Sequence, residues 1–401
     1  MVANWESIIF TCRTSWREPD ESGPSRIATK APRSDATLKR TTREQERVSK
    51  VRILVYEYAS GGGLAGRRVP ASLIREGAAM RAALVADLLA VDSHEVVTTV
   101  GGRIGSDLPR GAEVVVLPNG DRAREAALDR AIDTVDAVWL IAPETNRILE
   151  RLAARVTRRR KTLLGSDPAA IARASGKAAL ERELTARGIC YPRTRRVTRR
   201  FDLERAEAEI GYPMIVKPAR GAGSDGISLV RRSRDWSRAV ALAQQEIGGG
   251  VICQQFKRGT AASVSLLANG REAVALSVNQ QILAVDPPFS YRGGLTPLEH
   301  PLAPKAMTAA VSACRAVPGL RGFVGVDVVL TESDVVVIEI NPRLTTAYLG
   351  IRSAVDENVA ALAMNACAGR LAAAPRLQRS VRFSASGRVV VGEVRRERGA
   401  A

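Results

Sequence analysis

Residues 324–343 read VGVDVVLTESDVVVIEINPR. Two valine-rich runs flank a short polar link, Thr331–Asp334. Runs of β-branched residues this close together pair as an antiparallel hairpin. Three polar side chains nonetheless sit inside them: Asp327, Glu339 and Asn341. A carboxylate among valines is costly unless it finds a partner or a metal ion. Glu339 and Asn341 are two residues apart, so they share one face of their strand. Asp327, near the start of the first strand, faces the end of the second. Three hard oxygen donors on one face suit Mg²⁺ held together with nucleotide phosphates. Arg343 follows the turn imposed by Pro342 and can reach a transferring phosphoryl group. The bland alternative is a surface hairpin with incidental acids.

A second segment points the same way. Residues 212–230, YPMIVKPARGAGSDGISLV, read as strand, glycine-rich loop, strand. Lys217 ends the first strand and places one compact positive charge. Gly221, Gly223 and Gly226 let backbone N–H groups close over phosphate oxygens. No GK[ST] follows and no helix begins there, so this is not a Walker loop; a merely flexible hairpin is the alternative. The chain has 8 Lys against 52 Arg, and only five of the lysines lie beyond residue 50. Lys177, on a helix, and Lys217 are two of these. The strand end 253–259, CQQFKRG, brings Gln254, Gln255, Phe256 and Lys257 together as a candidate lining for a base. Ser263 and Ser265 stay ambiguous, and Tyr291-Arg292-Gly293-Gly294 reads as a turn.

Patterning divides the chain. Residues 1–48 lack apolar periodicity and read as a disordered extension. From 49 to 160 strands alternate with helices, which gives an α/β domain with a parallel sheet. From 161 to 375 short strands and hairpins give an α+β unit, and 376–401 reads as a tail. Gly61, Gly63 and Gly66 match GxGxxG after a strand, which would suit a dinucleotide oxidoreductase. The second strand, however, ends without the acid that holds a ribose.

Composition excludes other classes. Two His and five scattered Cys leave no histidine-rich zinc centre, histidine-based triad or disulfide framework. The thiols read as those of a reduced, cytoplasmic protein. No apolar run reaches the roughly 18 residues of a membrane span, so no membrane partner is expected. The net charge of +18 invites a nucleic-acid reading. Residues 151–200 alone hold 15 Lys and Arg against 3 acids. No zinc finger or aromatic RNA-binding motif accompanies them, so a nucleic-acid partner is not expected.

Lys177, the VKPARGAGSDG loop, the CQQFKRG strand end, Asp327 and the EINPR run occur in an order that resembles the ATP-grasp superfamily of carboxylate–amine ligases. The resemblance implies a pre-ATP-grasp, Rossmann-like domain followed by an ATP-grasp fold with a mobile lid at about 192–255. It implies ATP and Mg²⁺ as cofactors, with Mn²⁺ able to substitute. Lys177 and Lys217 would hold ATP phosphates, and Arg220, Gly221, Gly223, Ser224 and Gly226 would form the loop closing over them. Gln254, Gln255, Phe256 and Lys257 would meet the adenine, and Asp327, Glu339 and Asn341 would bind the metal. Arg343, with Lys217, would stabilise the transferred phosphoryl. One departure is Gln254 or Gln255, where many members carry Glu.

The family's chemistry turns a small-molecule carboxylate into an acyl phosphate and joins it to an amine. A narrower similarity, at Tyr56–Gly63, Ala142–Thr145 and Asn341–Tyr348, is to tyramine–L-glutamate ligases of methanofuran-type cofactor biosynthesis. On that basis Glu57 and Glu144 are candidates to orient an amine, and Arg292 or Arg352 to hold a substrate carboxylate. A homodimer is the default assembly.

Overall fold

A computed structural model describes residues 50–64, 71–101, 108–197, 200–220, 226–245, 250–284 and 290–393. The expected extension 1–48 and Gly221, Gly223 and Ser224 of the glycine loop lie outside them.

The first unit is a five-stranded parallel sheet, β1 (Val51–Glu57), β2 (His94–Gly101), β3 (Glu113–Leu117), β4 (Ala137–Ile141) and β5 (Thr162–Leu163), in the order β3-β2-β1-β4-β5. β1 is apolar up to Tyr56 save for Arg52, because both of its faces are covered. The strand order reverses at β1, so the carboxyl ends of β1 and β4 border the crevice where such sheets take ligands. Glu57 ends β1, and Glu144 follows β4.

The glycines after β1 serve packing rather than a dinucleotide. Ala59–Gly63 form one tight, buried turn. Thr99 Oγ1 donates to the Gly61 carbonyl at 2.7 Å, and a Cβ on Gly61 would fall 2.8 Å from that same oxygen. Glu57 is consumed here as well. Its carboxylate accepts from Ala59 N at 2.9 Å and from Ser60 Oγ at 2.6 Å. The residue expected to orient an amine therefore holds its own turn, and Gly66 lies outside the described residues.

The second unit has two antiparallel sheets. A small one, β6 (Thr194–Val197), β7 (Met214–Pro218), β8 (Ser228–Val230) and β9 (Val251–Gln255), runs β6-β9-β7-β8. Helix Trp236–Gln245 packs on it around Met214, Val216, Trp236, Ala239 and Val251, a core of its own. These strands occupy the stretch where the lid is expected.

The large sheet comprises β10 (Thr260–Asn269), β11 (Ala273–Ala284), β12 (Ser290–Thr296), β13 (Arg321–Leu330), β14 (Val335–Asn341), β15 (Arg379–Ser384) and β16 (Val389–Glu393), in the order β14-β13-β10-β11-β12-β15-β16. One apolar cluster joins Ile53, Leu84 and Trp139 of the first unit to Phe323, Tyr348, Ile351 and helix Val359–Cys367 of the second. The two units thus share a core.

Two readings from sequence need correction. Tyr291–Gly294 is not a turn but part of β12, and residues 379–393 are not a tail but two further strands. The errors have one cause. Gly293 pairs with Ser384, and any Cβ on it would strike the Phe383 carbonyl at 2.0 Å. The glycines that suggest a turn are there so that β15 can approach β12.

Several arginines of the basic stretch pair with acids of the same chain. Arg155 meets Asp129 and Glu125 at 2.6 Å each, Arg159 meets Asp133 at 2.6 Å, Arg173 pairs with Glu183, and Arg195 pairs with Glu209. Among the described residues, no helix is long and apolar enough to cross a membrane.

Val381 and Phe383 are 0% and 2% exposed. Phe383→Ala is therefore expected to cost about 3–5 kcal/mol, measured by urea unfolding. A dispensable tail would lose less than about 1 kcal/mol.

Candidate active site

The β13–β14 hairpin builds the centre. Its register runs Leu330–Val335, Val329–Val336 and Val328–Val337, then steps to Asp327–Glu339 and Gly325–Asn341. Ile338 is the skipped residue, and this bulge does the aiming. In an unbroken register Asp327 would face Ile338. With the bulge, two carboxylates oppose each other directly on one face. Asn341 Nδ2 donates to Asp327 Oδ2 at 3.2 Å. Gln281 Nε2, from β11, donates to Asp327 Oδ1 at 2.9 Å. Burial, and then the charge of Glu339, push the Asp327 carboxyl up to about 7, and the two amide donors only partly counter this.

Two lysines converge on these acids. Lys177 opens helix Lys177–Thr185 and reaches Glu339 Oε2 at 3.0 Å. Lys217, near the end of β7, is buried. Burial and the neighbouring Lys177 push its ammonium down to about 8, while Glu339 and Asp327 pull the other way. Helix, small sheet and large sheet each deliver one or more charges to a single desolvated spot.

Arg343 leaves β14 and meets the first unit. Its Nε donates to Glu144 Oε1 at 2.9 Å and its Nη2 to Glu144 Oε2 at 3.1 Å. Burial opposes the guanidinium charge, but Glu144, with Glu76 and Glu339 behind it, raises the Arg343 pKa above its ordinary value. Glu76, on helix Ala71–Leu89, accepts from Thr346 Oγ1 and lies within electrostatic reach of Arg343. Burial, then Glu76 and Asp327, push the Tyr291 phenol well above its usual range.

The other expected residues divide. Gln254 is buried and donates to Thr194 Oγ1 at 3.0 Å, while Gln255, Phe256, Lys257 and Arg220 are half-buried. Gly226 closes the glycine loop with φ +71°. Arg352 departs from expectation: it forks onto Asp87, with Nε to Oδ2 at 2.9 Å and Nη2 to Oδ1 at 2.5 Å, and so staples the two units. Glu144 holds Arg343 rather than an amine, and the Arg292 side chain is exposed.

Sequence reasoning missed Gln281, Glu76 and Thr346. Only Gln281 left a trace, since it shares a strand face with Asn279. Asn279 belongs to a buried polar row. Its Nδ2 donates to Ser265 Oγ at 3.1 Å and its Oδ1 accepts from Thr296 Oγ1 at 2.7 Å. Ser263, opposite both Asp327 and Asn279, lies in the same row.

The donor set fits a hard divalent cation. Two opposed carboxylates, one of them reluctant to ionise, gain a counter-charge, and the Asn341 amide adds a third oxygen. Among the described residues no group of three or more His, Cys, Asp and Glu offers an alternative metal site.

Two sequence profiles match: an ATP-grasp domain over residues 174–347 and a pre-ATP-grasp domain over residues 94–171. The chain belongs to the ATP-grasp superfamily. It is 35% identical to a tyramine–L-glutamate ligase of Methanocaldococcus jannaschii over 102 residues, 25% of this chain and 32% of that one. It is 28% identical to a D-alanine–D-alanine ligase of Desulforudis audaxviator over 200 residues, 46% of this chain and 64% of that one. The chain thus spans about a third of the tyramine–L-glutamate ligases that it matches. Among solved structures, an ATP-grasp superfamily protein from Archaeoglobus fulgidus superposes with a TM-score of 0.61 at 26% identity, covering 83% of this chain and 92% of that one. N5-carboxyaminoimidazole synthetase from Staphylococcus aureus, complexed with ADP, shares the fold with a TM-score of 0.64 at 16% identity, covering 84% of this chain and 82% of that one.

The raised Asp327 acid gives a signed expectation. The metal-free folded state holds this proton more tightly than the unfolded chain. Stability should therefore fall as pH rises from about 4 to about 7, and level off above. Asp327→Asn should remove that slope and gain on the order of 1–3 kcal/mol at pH 7.5, read from denaturant unfolding in EDTA.

Proposed function

We propose that this chain is an ATP- and Mg²⁺-dependent ligase that activates a carboxylate and joins it to an amine. The observation that carries this is the opposed Asp327 and Glu339 beside Asn341, with Lys177 and Lys217 converging on them. Asp327, Glu339 and Asn341 would hold a cation there, and it would supply charge neutralisation for the phosphates. Lys177 and Lys217 would grip the β- and γ-phosphates, and the loop of Arg220, Gly221, Gly223, Ser224 and Gly226 would cover them. Gln254, Gln255, Phe256 and Lys257 would meet the adenine at the end of β9.

In the first step a substrate carboxylate oxygen forms a bond to the γ-phosphorus, and the bond to the ADP oxygen breaks. Arg343 would balance charge on the transferred phosphoryl. In the second step the amine nitrogen attacks the acyl carbon. Phosphate leaves, and the nitrogen gives up a proton as the amide forms. Neither step requires a His or Cys nucleophile. Positioning and charge balance supply most of the effect.

For the substrate pair we propose the γ-carboxylate of glutamate with tyramine or tyrosine. The likeness to tyramine–L-glutamate ligase and the segments at Tyr56, Ala142 and Asn341 support that choice. The likeness to D-alanine–D-alanine ligases keeps another small-molecule carboxylate and amine as the second reading.

Purified protein with ATP, Mg²⁺, glutamate and a panel of amines should release ADP and phosphate only with the correct pair. Tyramine or tyrosine is expected to give the fastest release. Glu339→Ala should reduce that rate by at least about 100-fold. Undiminished release from Glu339→Ala would reject the metal assignment.

A further inference from the structure

The fork between Glu144 and Arg343 joins residues 199 positions apart in the sequence. Both ends are sheltered: the Glu144 side chain is 3% exposed and that of Arg343 is 13%. A buried pair of this kind adds little net stability, because desolvation cancels much of the attraction. What it supplies is geometry. A bidentate fork fixes the plane of the guanidinium as well as its position.

The backbone around Glu144 is equally fixed. Arg147 N donates to the Glu144 carbonyl at 3.1 Å, and Leu149 N to the Pro143 carbonyl at 3.0 Å. Two and three residues on from Glu144, Asn146 and Arg147 are left-handed, with φ of 54° and 57°. Non-glycine residues take that conformation at a cost, and the surroundings must hold them there. The turn stands where the strand order reverses, at the crevice of the first sheet.

Arg343 retains capacity toward the centre. It has five N–H donors. Among the described residues, two go to Glu144 and one, from Nη1, goes to the Leu344 carbonyl at 3.2 Å. Two donors remain, enough for a second fork onto phosphoryl oxygens.

We propose that Glu144 is a positioning residue. It sets the Arg343 guanidinium for phosphoryl transfer, so the transferring centre is complete only when the first unit is docked. This rests on the ligase reading above. The rival is a plain staple between units, and the molecule carries one for comparison. Arg352 forks onto Asp87, whose Oδ2 also accepts from the Tyr348 hydroxyl, without engaging the carboxylate–lysine cluster.

The test compares Glu144→Gln, Glu144→Asp, Arg343→Lys, Asp87→Asn and the double variant Glu144→Gln/Arg343→Lys, following ADP release. Glu144→Gln keeps the shape and loses the charge. It should lower kcat by about 100-fold while KM for ATP stays within about threefold. Glu144→Asp, one methylene shorter, should fall between it and wild type. The double variant should be no slower than about twofold below the worse single, because the two residues act as a unit. Asp87→Asn should lower Tm and leave kcat within about twofold.

The proposal is overturned if Glu144→Gln loses Tm but keeps kcat, as Asp87→Asn should, or if the two kinetic losses multiply. A wild type that releases no ADP with any pair rejects the ligase reading itself. An active wild type beside an equally active Glu144→Gln rejects only the positioning role.

Discussion

Two carboxylates facing each other inside a hairpin repel, and everything around Asp327 and Glu339 is arranged to make that tolerable. Lys177 supplies one cation from a helix, and Lys217 a second from the small sheet. Gln281 and Asn341 donate to Asp327 from either side. No local segment contains this balance, so it exists only when three elements meet. The cluster also stays unsettled. An acid pushed up to about 7 and an ammonium pushed down to about 8 are each close to giving up their charge at neutral pH. That condition suits a site completed by a cation and an anion arriving together, and the apolar clusters on both faces of the large sheet hold it in place.

The first unit imposes the second constraint, and it does so through one stretch of chain. The residues just past β14 meet three of its acids. Arg343 meets Glu144, Thr346 meets Glu76, Tyr348 and Arg352 meet the Asp87 carboxylate, and Asn358 donates to the Asp87 backbone carbonyl. The segment that follows β14 is thus also the seam between units. A shared apolar core lies beneath it. Docking and the position of Arg343 are therefore not independent. A shift of the first sheet would be felt at the hairpin.

How much of this was legible depends on the range of the interaction. The hairpin acids stood out because valines surrounded them. Four of the five parallel strands stood out because their apolar runs alternate with helical spacing; β5, only two residues long, did not. The bulge at Ile338 left no mark, since counting by twos across the Thr331–Asp334 link pairs Asp327 with Ile338 instead. Glu57 and Glu144 both read as strand-end acids, yet one caps its neighbours and the other crosses to a partner 199 residues away. Only tertiary structure separates those fates. β15 was hidden for a similar reason. Val381 and Phe383 alternate properly, but six residues near a chain end carry little signal until β12 lies beside them.

The division of labour between lysine and arginine follows from the same electrostatics. Most basic side chains here are Arg, and several in the 151–200 stretch are spent on surface acids where either residue would serve. At the cluster the choice has consequences. Lys177 is close enough to disfavour the charge on Lys217. A buried ammonium can respond by releasing part of its charge, whereas a guanidinium cannot. Two arginines there would remain fully charged. At residue 343 the demand is reversed. A group that must hold Glu144 on one side and offer donors on the other needs a rigid fork and a permanent charge, and that is arginine. The scarcity of lysine in the chain makes its presence at 177 and 217 informative, and the geometry supplies the reason.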